Sequence, residues 1–403
     1  MLKHINNKKI KSFLKEIVEF NNFNKKTVKF QDEDITYFIN EYWTSKQRAC
    51  SNLHEISYRA CFKPQLPEFF IQRLTHKGDR VYDPFMGRGT TPIQSALMGR
   101  QAAGSDINPL SLLLTRPRIN PPKIEEIKFR LDSLDLAGKT AAELREDLLP
   151  FFHIKTLNQI CFLRQFLLET TPITGKVDPI NDWIRMVAVS RLTGHSPGFF
   201  STYTLPPNQA VSIESQIKIN KKRNQIAEEK DIGSLIYKKS KFLLKNYTPI
   251  IANKADLFIA EAYNLTHLKD NSIDLVVTSP PFLNIVNYKL DNWMRNWFAG
   301  VNENINISHI GNLNEWTQMI HIVIKELARV IKPGGFLAFE VGEVKGGKYN
   351  LEKNVWHCMN NLPFDRLCII INQQNFTKTA NCWGISNNER GVNTNRIVVA
   401  QKT

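Results

Sequence analysis

The chain has 403 residues, 42% hydrophobic and 10% aromatic, which excludes a disordered polymer and allows two or three domains. Its 53 basic against 38 acidic residues give a formal charge of +15, which favours a polyanionic partner, nucleic acid first. The 6 cysteines are scattered, with no Cys-x-x-Cys pair, zinc spacing or disulfide framework, and no apolar run reaches membrane-spanning length. A basic N-terminus without a following apolar segment argues against a signal peptide. The expected setting is the cytoplasm, with no membrane and no metal.

Residues 1–47 read as an N-terminal helical arm, with Ile10, Phe13, Leu14, Ile17, Val18 and Phe20 largely on one face. A helix is expected from Pro67 to about Thr75, with Lys77-Gly78-Asp79 as its exit turn. Arg80 to Asp83 then reads as a short strand. Gly87 and Gly89 permit a tight turn, and a helix follows with Thr90 or Thr91 as its cap. A second strand, Gln101 to Ile107, carries Asp106 near its C-terminal end.

Strand, glycine loop, helix, strand and acid together describe a nucleotide-type half-site. The third glycine of the dinucleotide fingerprint is missing, because Pro92 holds its place. Asp83 stands where a pyrophosphate would approach, and its charge would repel phosphate. It suits a ligand with a cationic amine instead, while Asp106 can accept both hydroxyls of a ribose. An amine, a ribose and no phosphate describe S-adenosylmethionine better than NAD or ATP.

A helix from Leu110 is expected to end at Pro117, and Pro121-Pro122 marks a boundary. Residues 119–250 form a long insertion of helical and loop character. Within it, Arg191 to Pro207 is rich in glycine, proline, aromatics and hydroxyls, and Gln216 to Gln225 is strongly basic. Charges beside aromatics suit DNA contact through Arg191, His195, Lys221, Lys222 and Arg223. A solvated basic face is the competing reading.

Ile273 to Val277 is a β-branched run typical of a buried strand. Thr278-Ser279-Pro280-Pro281-Phe282 ends it, because neither proline can donate a ladder hydrogen bond. The result is a stiff corner at a strand's C-terminal end, where ligands sit in open α/β sheets. Downstream, Asn314 is expected to cap a long helix that Lys332-Pro-Gly-Gly335 ends. Strands follow at Gly335–Val341, Leu367–Ile371 and Arg396–Ala400, and the polar stretch from Thr377 to Asn395 could approach substrate.

The motif Asp83-Pro-Phe-Met-Gly-Arg-Gly-Thr-Thr91, taken with Thr278-Ser-Pro-Pro-Phe282, resembles the amino-DNA methyltransferases. Ser-Pro-Pro is similar to the cytosine-N4 branch, whereas the adenine-N6 branch usually has Asp or Asn in the serine's place. The resemblance implies an α/β, Rossmann-like S-adenosylmethionine-dependent methyltransferase sheet with a largely helical inserted region. On that reading residues 48–118 and 251–403 are the two parts of the methyltransferase domain, and 119–250 is the DNA target-recognition region.

The resemblance also implies residue roles. Phe62-Lys63-Pro64 would close over the methionine end of the cofactor. Asp83, Pro84, Phe85, Gly87, Gly89, Thr90 and Thr91 would hold its amino-acid portion, with Asp106 on the ribose and Asn108 and Thr278 in the same cofactor site. A third strand, Ala255 to Ala262, would bring Glu261 to the adenine amine, with Asp256 less well placed. Ser279, Pro280, Pro281 and Phe282 would be catalytic, with Phe282 stacking on a flipped base in double-stranded DNA. A cognate restriction endonuclease is an implied partner. The alternatives are adenine-N6 methylation, methylation of RNA or a protein amide, and a non-catalytic nucleic-acid-binding protein of the same fold.

Overall fold

The computed structural model describes residues 2–21, 24–43, 50–58, 61–175, 177–205, 209–248, 255–281, 288–302, 312–342, 350–377 and 390–403. The chain opens with α1 (Leu2–Glu19), β1 (Val28–Asp32) and β2 (Ile35–Asn40). Then come α2 (Gln65–Leu74), β3 (Arg80–Asp83), α3 (Thr90–Leu97), β4 (Gln101–Asp106) and α4 (Pro109–Ile119). The insertion supplies α5 (Ile124–Leu134), α6 (Ile154–Thr170), α7 (Pro179–Arg191), α8 (Ile213–Arg223) and α9 (Ile232–Leu243). The chain continues with β5 (Asp256–Ile259), β6 (Ile273–Thr278), α10 (Tyr288–Asp291), α11 (Trp293–Ala299) and α12 (Leu313–Val330). It closes with β7 (Ile331–Gly342), α13 (Leu351–Cys358), β8 (Phe364–Thr377) and β9 (Arg390–Lys402).

The nine strands form one sheet in the order β1-β2-β8-β9-β7-β6-β3-β4-β5. Strands β7, β6, β3, β4 and β5 are mutually parallel, while β9 runs antiparallel between β7 and β8. The chain winds from β3 outward through β4 to β5, then returns to β6 on the other side of β3. That reversal makes the C-terminal ends of β3 and β6 the topological switch point, where a crevice opens. The architecture is a Rossmann-like α/β sheet.

Period-two alternation sends the two faces of each central strand to different cores. Leu275 and Val277 of β6 pack with Phe69, Phe70 and Ile71 of α2 and Phe13 and Ile17 of α1. Val276 packs on the opposite face with Trp316, Ile320, Val323, Ile324 and Leu327 of α12. Both faces are covered, so these strands read as continuous apolar runs. The inserted helices form a third core that also holds Ile93 of α3, Leu110 and Leu113 of α4, and Met294 and Phe298 of α11. The insertion is therefore packed against the half-site around α3 and α4.

Several local expectations change. The arm contains one helix, and residues 28–40 form a hairpin whose β2 pairs in parallel with β8. Glu33 takes the left-handed conformation at its turn, φ 55°. The cap of α3 is Gly89, at φ 80°, and not Thr90 or Thr91. Helix α4 runs through Pro117 to Ile119, with the Arg118 side chain donating to Leu114 O at 2.7 Å. Asn312, and not Asn314, caps α12, accepting from Glu315 N at 2.9 Å. The Pro333-Gly334 step lies inside β7, with Gly334 at φ 82° and a register shift opposite Ile273 and Leu275. No helix among the described residues is long and apolar enough to cross a membrane.

Candidate active site

A cleft opens at the switch point. Phe62, Asp83, Pro84, Phe85, Gly87, Thr90, Asp106, Asn108, Glu261, Ser279 and Pro281 all line it. Residues from both motifs thus meet in one cavity. Lys63 is exposed and Pro64 is buried at the start of α2, so neither lines the cleft. Gly89, Thr91, Thr278 and Pro280 are buried or half-buried and do not line it. Phe282 lies outside the described residues.

The supports explain how the walls are fixed. The turn after β3 brings Gly89 so close to α4 that a Cβ there would overlap Thr115. The Thr91 hydroxyl donates to Val277 O at 3.0 Å, and the Thr278 hydroxyl donates to Asp83 Oδ1 at 2.6 Å. Two hydrogen bonds therefore tie the glycine loop to the end of β6. The indole of Trp316 donates to Pro281 O at 3.1 Å and holds the corner from the α12 side.

Asp83 is 1% exposed, and its Oδ1 also accepts from Phe85 N at 3.0 Å. Burial pushes its carboxyl up to about 7, against the lowering effect of the Thr278 and Phe85 bonds. Asp106 accepts from Gly87 N through Oδ2 and from Asn108 N through Oδ1, both at 2.9 Å. Ser111 supplies a further bond, and at least one of the two oxygens keeps a lone pair for a ligand hydroxyl. The Asn108 carbonyl caps α4 by accepting from Leu110 N at 3.0 Å. Its amide nitrogen is buried without a partner, although such groups are normally satisfied.

Glu261 follows β5 on the rim and accepts from the Tyr263 hydroxyl. Asp256 is occupied by Arg80 at 2.5 Å at the opposite end of the strand. Three cations pin the segment that carries the other wall. Arg118 donates to Leu53 O at 2.9 Å, Lys239 to Glu55 O at 2.8 Å and Arg88 to Ile56 O at 2.8 Å. This segment places Tyr58 and Cys61 in the cleft beside Phe62. Burial raises the Cys61 thiol, so it is held as a thiol and not a thiolate nucleophile.

One functional candidate was missed in the sequence. Glu340 of β7 is 2% exposed and receives hydrogen bonds from the Ser279 hydroxyl and from Asn395 Nδ2, the latter at 3.1 Å. Burial raises its carboxyl above the usual carboxylate range. The signal was a lone acid inside the apolar run Phe336-Leu-Ala-Phe-Glu-Val341. Tyr58, Cys61, Met86, Ile107, Ala262, Tyr263 and Met319 complete the lining, and of these only Met86 lay within a motif.

The basic residues of the insertion lie outside the cleft lining. Arg191 stacks over Phe199 at 4.1 Å, and burial pushes it down to about 10, with Arg295 adding repulsion. Arg223 stacks over Tyr203 at 3.7 Å; His195, Lys221 and Lys222 are exposed. The loop that carries His195 is pinned by Thr202 N donating to Phe151 O at 2.8 Å. Just beyond it, Ala210 O accepts from the Trp293 indole of α11 at 3.2 Å. Among the described residues no group of three or more His, Cys, Asp or Glu is placed to hold a metal ion.

Residues 3–113 match a family model described as DNA methylase. The type II methyltransferase M.BsoBI of Geobacillus stearothermophilus is 26% identical over 336 residues, covering 73% of this chain and 58% of that protein. The type II methyltransferase M.MvaI of Kocuria varians is 24% identical over 243 residues, 56% of this chain and 52% of that one. M.MjaII of Methanocaldococcus jannaschii, also a type II methyltransferase, is 37% identical over 97 residues, 24% of this chain and 18% of its own. The chain is thus similar, over part of its length, to DNA methylases and type II methyltransferases. It spans little more than half the length of two of these relatives and less of the third. The family holds both cytosine-N4 and adenine-N6 members, and the likeness does not separate them.

Proposed function

We propose that this chain is a site-specific DNA methyltransferase. It uses S-adenosylmethionine to methylate the exocyclic N4 amine of a cytosine flipped out of duplex DNA. The observation that carries the reading is the meeting of Asp83 and Ser279 in one cleft, joined through Thr278.

The cleft fits the cofactor on two counts. A buried carboxyl pushed up to about 7 is short of a cation, which the cofactor's amino group supplies. The partnerless Asn108 amide nitrogen is short of an acceptor, which an adenine ring supplies. Asp83 would hold the amino group, Asp106 the ribose, and Asn108 with Glu261 the adenine. When bound, the cofactor supplies a methyl group on a sulfonium sulfur.

The chain's own residues do the rest. A cytosine amine is a poor nucleophile because its lone pair is delocalised into the ring. It is also out of reach inside a duplex, so the base must flip. The Ser279 proton is committed to Glu340, which leaves the hydroxyl's lone pairs free to accept from the amine. Pro280 O offers a second acceptor, held by the proline pair. Two acceptors aimed at the amino hydrogens favour a pyramidal nitrogen. As the nitrogen–methyl bond forms, the amine sheds one proton. Ser279 can pass it to Glu340, whose raised pKa suits a proton acceptor. Phe282 is proposed to stack on the flipped base. Arg191, His195, Lys221, Lys222 and Arg223 are proposed to meet phosphates beside it. A cognate restriction endonuclease is the proposed partner, on the family resemblance alone.

Digestion of methylated DNA to nucleosides, followed by mass identification, tests the choice of base. N4-methylcytosine is the expected product, and N6-methyladenine overturns the reading of Ser279. The relay makes a second, separate prediction. Glu340→Gln is expected to slow turnover by roughly 10²-fold, as loss of a general base does, with cofactor affinity kept within about twofold. The acidic limb of the pH–rate profile, set by protonation of Glu340, is expected to vanish with it. An unchanged rate and profile would leave Glu340 a structural residue only.

A further inference from the structure

Glu340 stands in a polar row that crosses the sheet. Val277 of β6, Ala338 of β7, Ile397 of β9 and Ile370 of β8 belong to one core and so share one face. Strand side chains alternate between faces, and Ser279, Glu340, Asn395 and Asn372 each lie two positions from these four. They continue the same face toward the edge that carries the cleft. The Ser279 hydroxyl donates to Glu340, and Asn395 Nδ2 donates to Glu340 Oε1 at 3.1 Å. Asn395 is paired with Asn372 across the β8–β9 ladder. The Asn372 carbonyl in turn accepts from Tyr42 N at 2.7 Å and Trp43 N at 3.1 Å, just past β2.

Strands β6 and β9 flank β7 on opposite sides. The Glu340 carboxyl is therefore held from both. At 2% exposure it needs donors in order to carry charge. The two donors differ in kind. The Ser279 hydrogen takes part in the proposed proton transfer, whereas an amide N–H does not titrate. Asn395 is the donor that stays while the proton moves.

Among the described residues, Ser279 and Asn395 are the groups that act on this carboxyl. Arg396 and Glu352 pair with each other on the opposite face. On the covering helices Arg73 pairs with Glu16, Lys9 lies over Phe336 and Glu68 is raised by burial alone. Glu41, past β2, pairs with Lys25, and Asp83 of β3 is held by Thr278.

We infer that Asn395 is a positioning residue for methyl transfer, fixing the Glu340 carboxylate from the β9 side so that it faces the Ser279 hydroxyl. The inference rests on the relay proposed above.

The test follows the pH–rate profile of single-turnover methyl transfer by the full chain on duplex DNA of mixed sequence. Asn395→Ala removes the donor. Asn395→Asp keeps the shape but sets a second carboxyl against the first. Losing a hydrogen bond to its charged form raises a carboxyl, and a like charge raises it more. The acidic limb is expected to move to higher pH by about one unit in Asn395→Ala and further in Asn395→Asp. Turnover on that limb should fall about tenfold in Asn395→Ala, with cofactor affinity kept within about twofold. A residue that only packs would lower the melting temperature and leave the limb in place. A limb unmoved in both variants, with Glu340→Gln still abolishing it, overturns the role of Asn395 and leaves the relay standing. A limb that persists in Glu340→Gln overturns the relay and the inference together.

Discussion

Ser279→Ala is expected to lower methyl transfer by roughly 10²-fold or more while cofactor affinity stays within about twofold, the pattern of a group that acts mainly in the transition state. The cofactor contacts proposed here come from β3, β4 and β5, whereas Ser279 follows β6. Its hydroxyl is oriented by Glu340, so truncation removes both an acceptor for the amine and the path to the carboxylate. Thr278, one residue earlier, keeps its bond to Asp83 in the variant and preserves the cofactor wall. Calorimetric titration of the cofactor and single-turnover kinetics measure the two quantities separately. Equal losses in both would remove Ser279 from the chemistry and make it part of the cofactor wall.

Asp83→Asn is expected to act in the opposite way. Cofactor affinity should fall on the order of 10²-fold, because an uncompensated buried cation remains in the complex. The ligand-free protein should nevertheless become more stable at alkaline pH. Burial pushes the carboxyl up to about 7 in the fold, from its ordinary 3.8. Between these values the unfolded chain has already released the proton that the folded chain retains. Stability therefore declines as pH rises through that window and stays low above it. The amide has no charge to bury, and its oxygen can still accept from Phe85 N and Thr278. A melting temperature higher by a few degrees at pH 8, and unchanged at pH 4 and below, is the expected signature. Binding should also release close to one proton at pH 6, where the amino group is already a cation, and take up protons at pH 8.5, where it is mostly neutral, seen by calorimetry in buffers of different ionisation enthalpy. A lower melting temperature at pH 8, with cofactor affinity retained, would contradict the role given to Asp83.

What could be read in the sequence was local. Asp83, Gly87, Gly89 and Asp106 lie within one strand–loop–helix–strand unit, and their spacing alone describes the half-site. The corner at Ser279 was visible for the same reason, since two prolines end a β-branched run wherever it packs. The parts that escaped depend on partners distant in the chain. Strand β2 joins the sheet by pairing with β8, so the partner beside its buried residues Tyr37 and Phe38 lies some 330 positions along the chain, at Ile369 and Ile370. Thr90 or Thr91 was expected to cap α3, but Gly89 takes that place and the Thr91 hydroxyl donates to Val277 O of β6. Glu340 becomes meaningful only when β7 lies beside β6 and brings it to Ser279.

The choice of acceptor is decided most directly by one assay. Labelled methyl from S-adenosylmethionine is offered to the protein with duplex DNA, RNA and a protein mixture in parallel. Acid-stable label in the duplex DNA alone is the expected result, lost in both Asp83→Asn and Ser279→Ala. Label in RNA or protein with none in DNA would contradict DNA as the substrate, even with the cleft and the cofactor contacts as described.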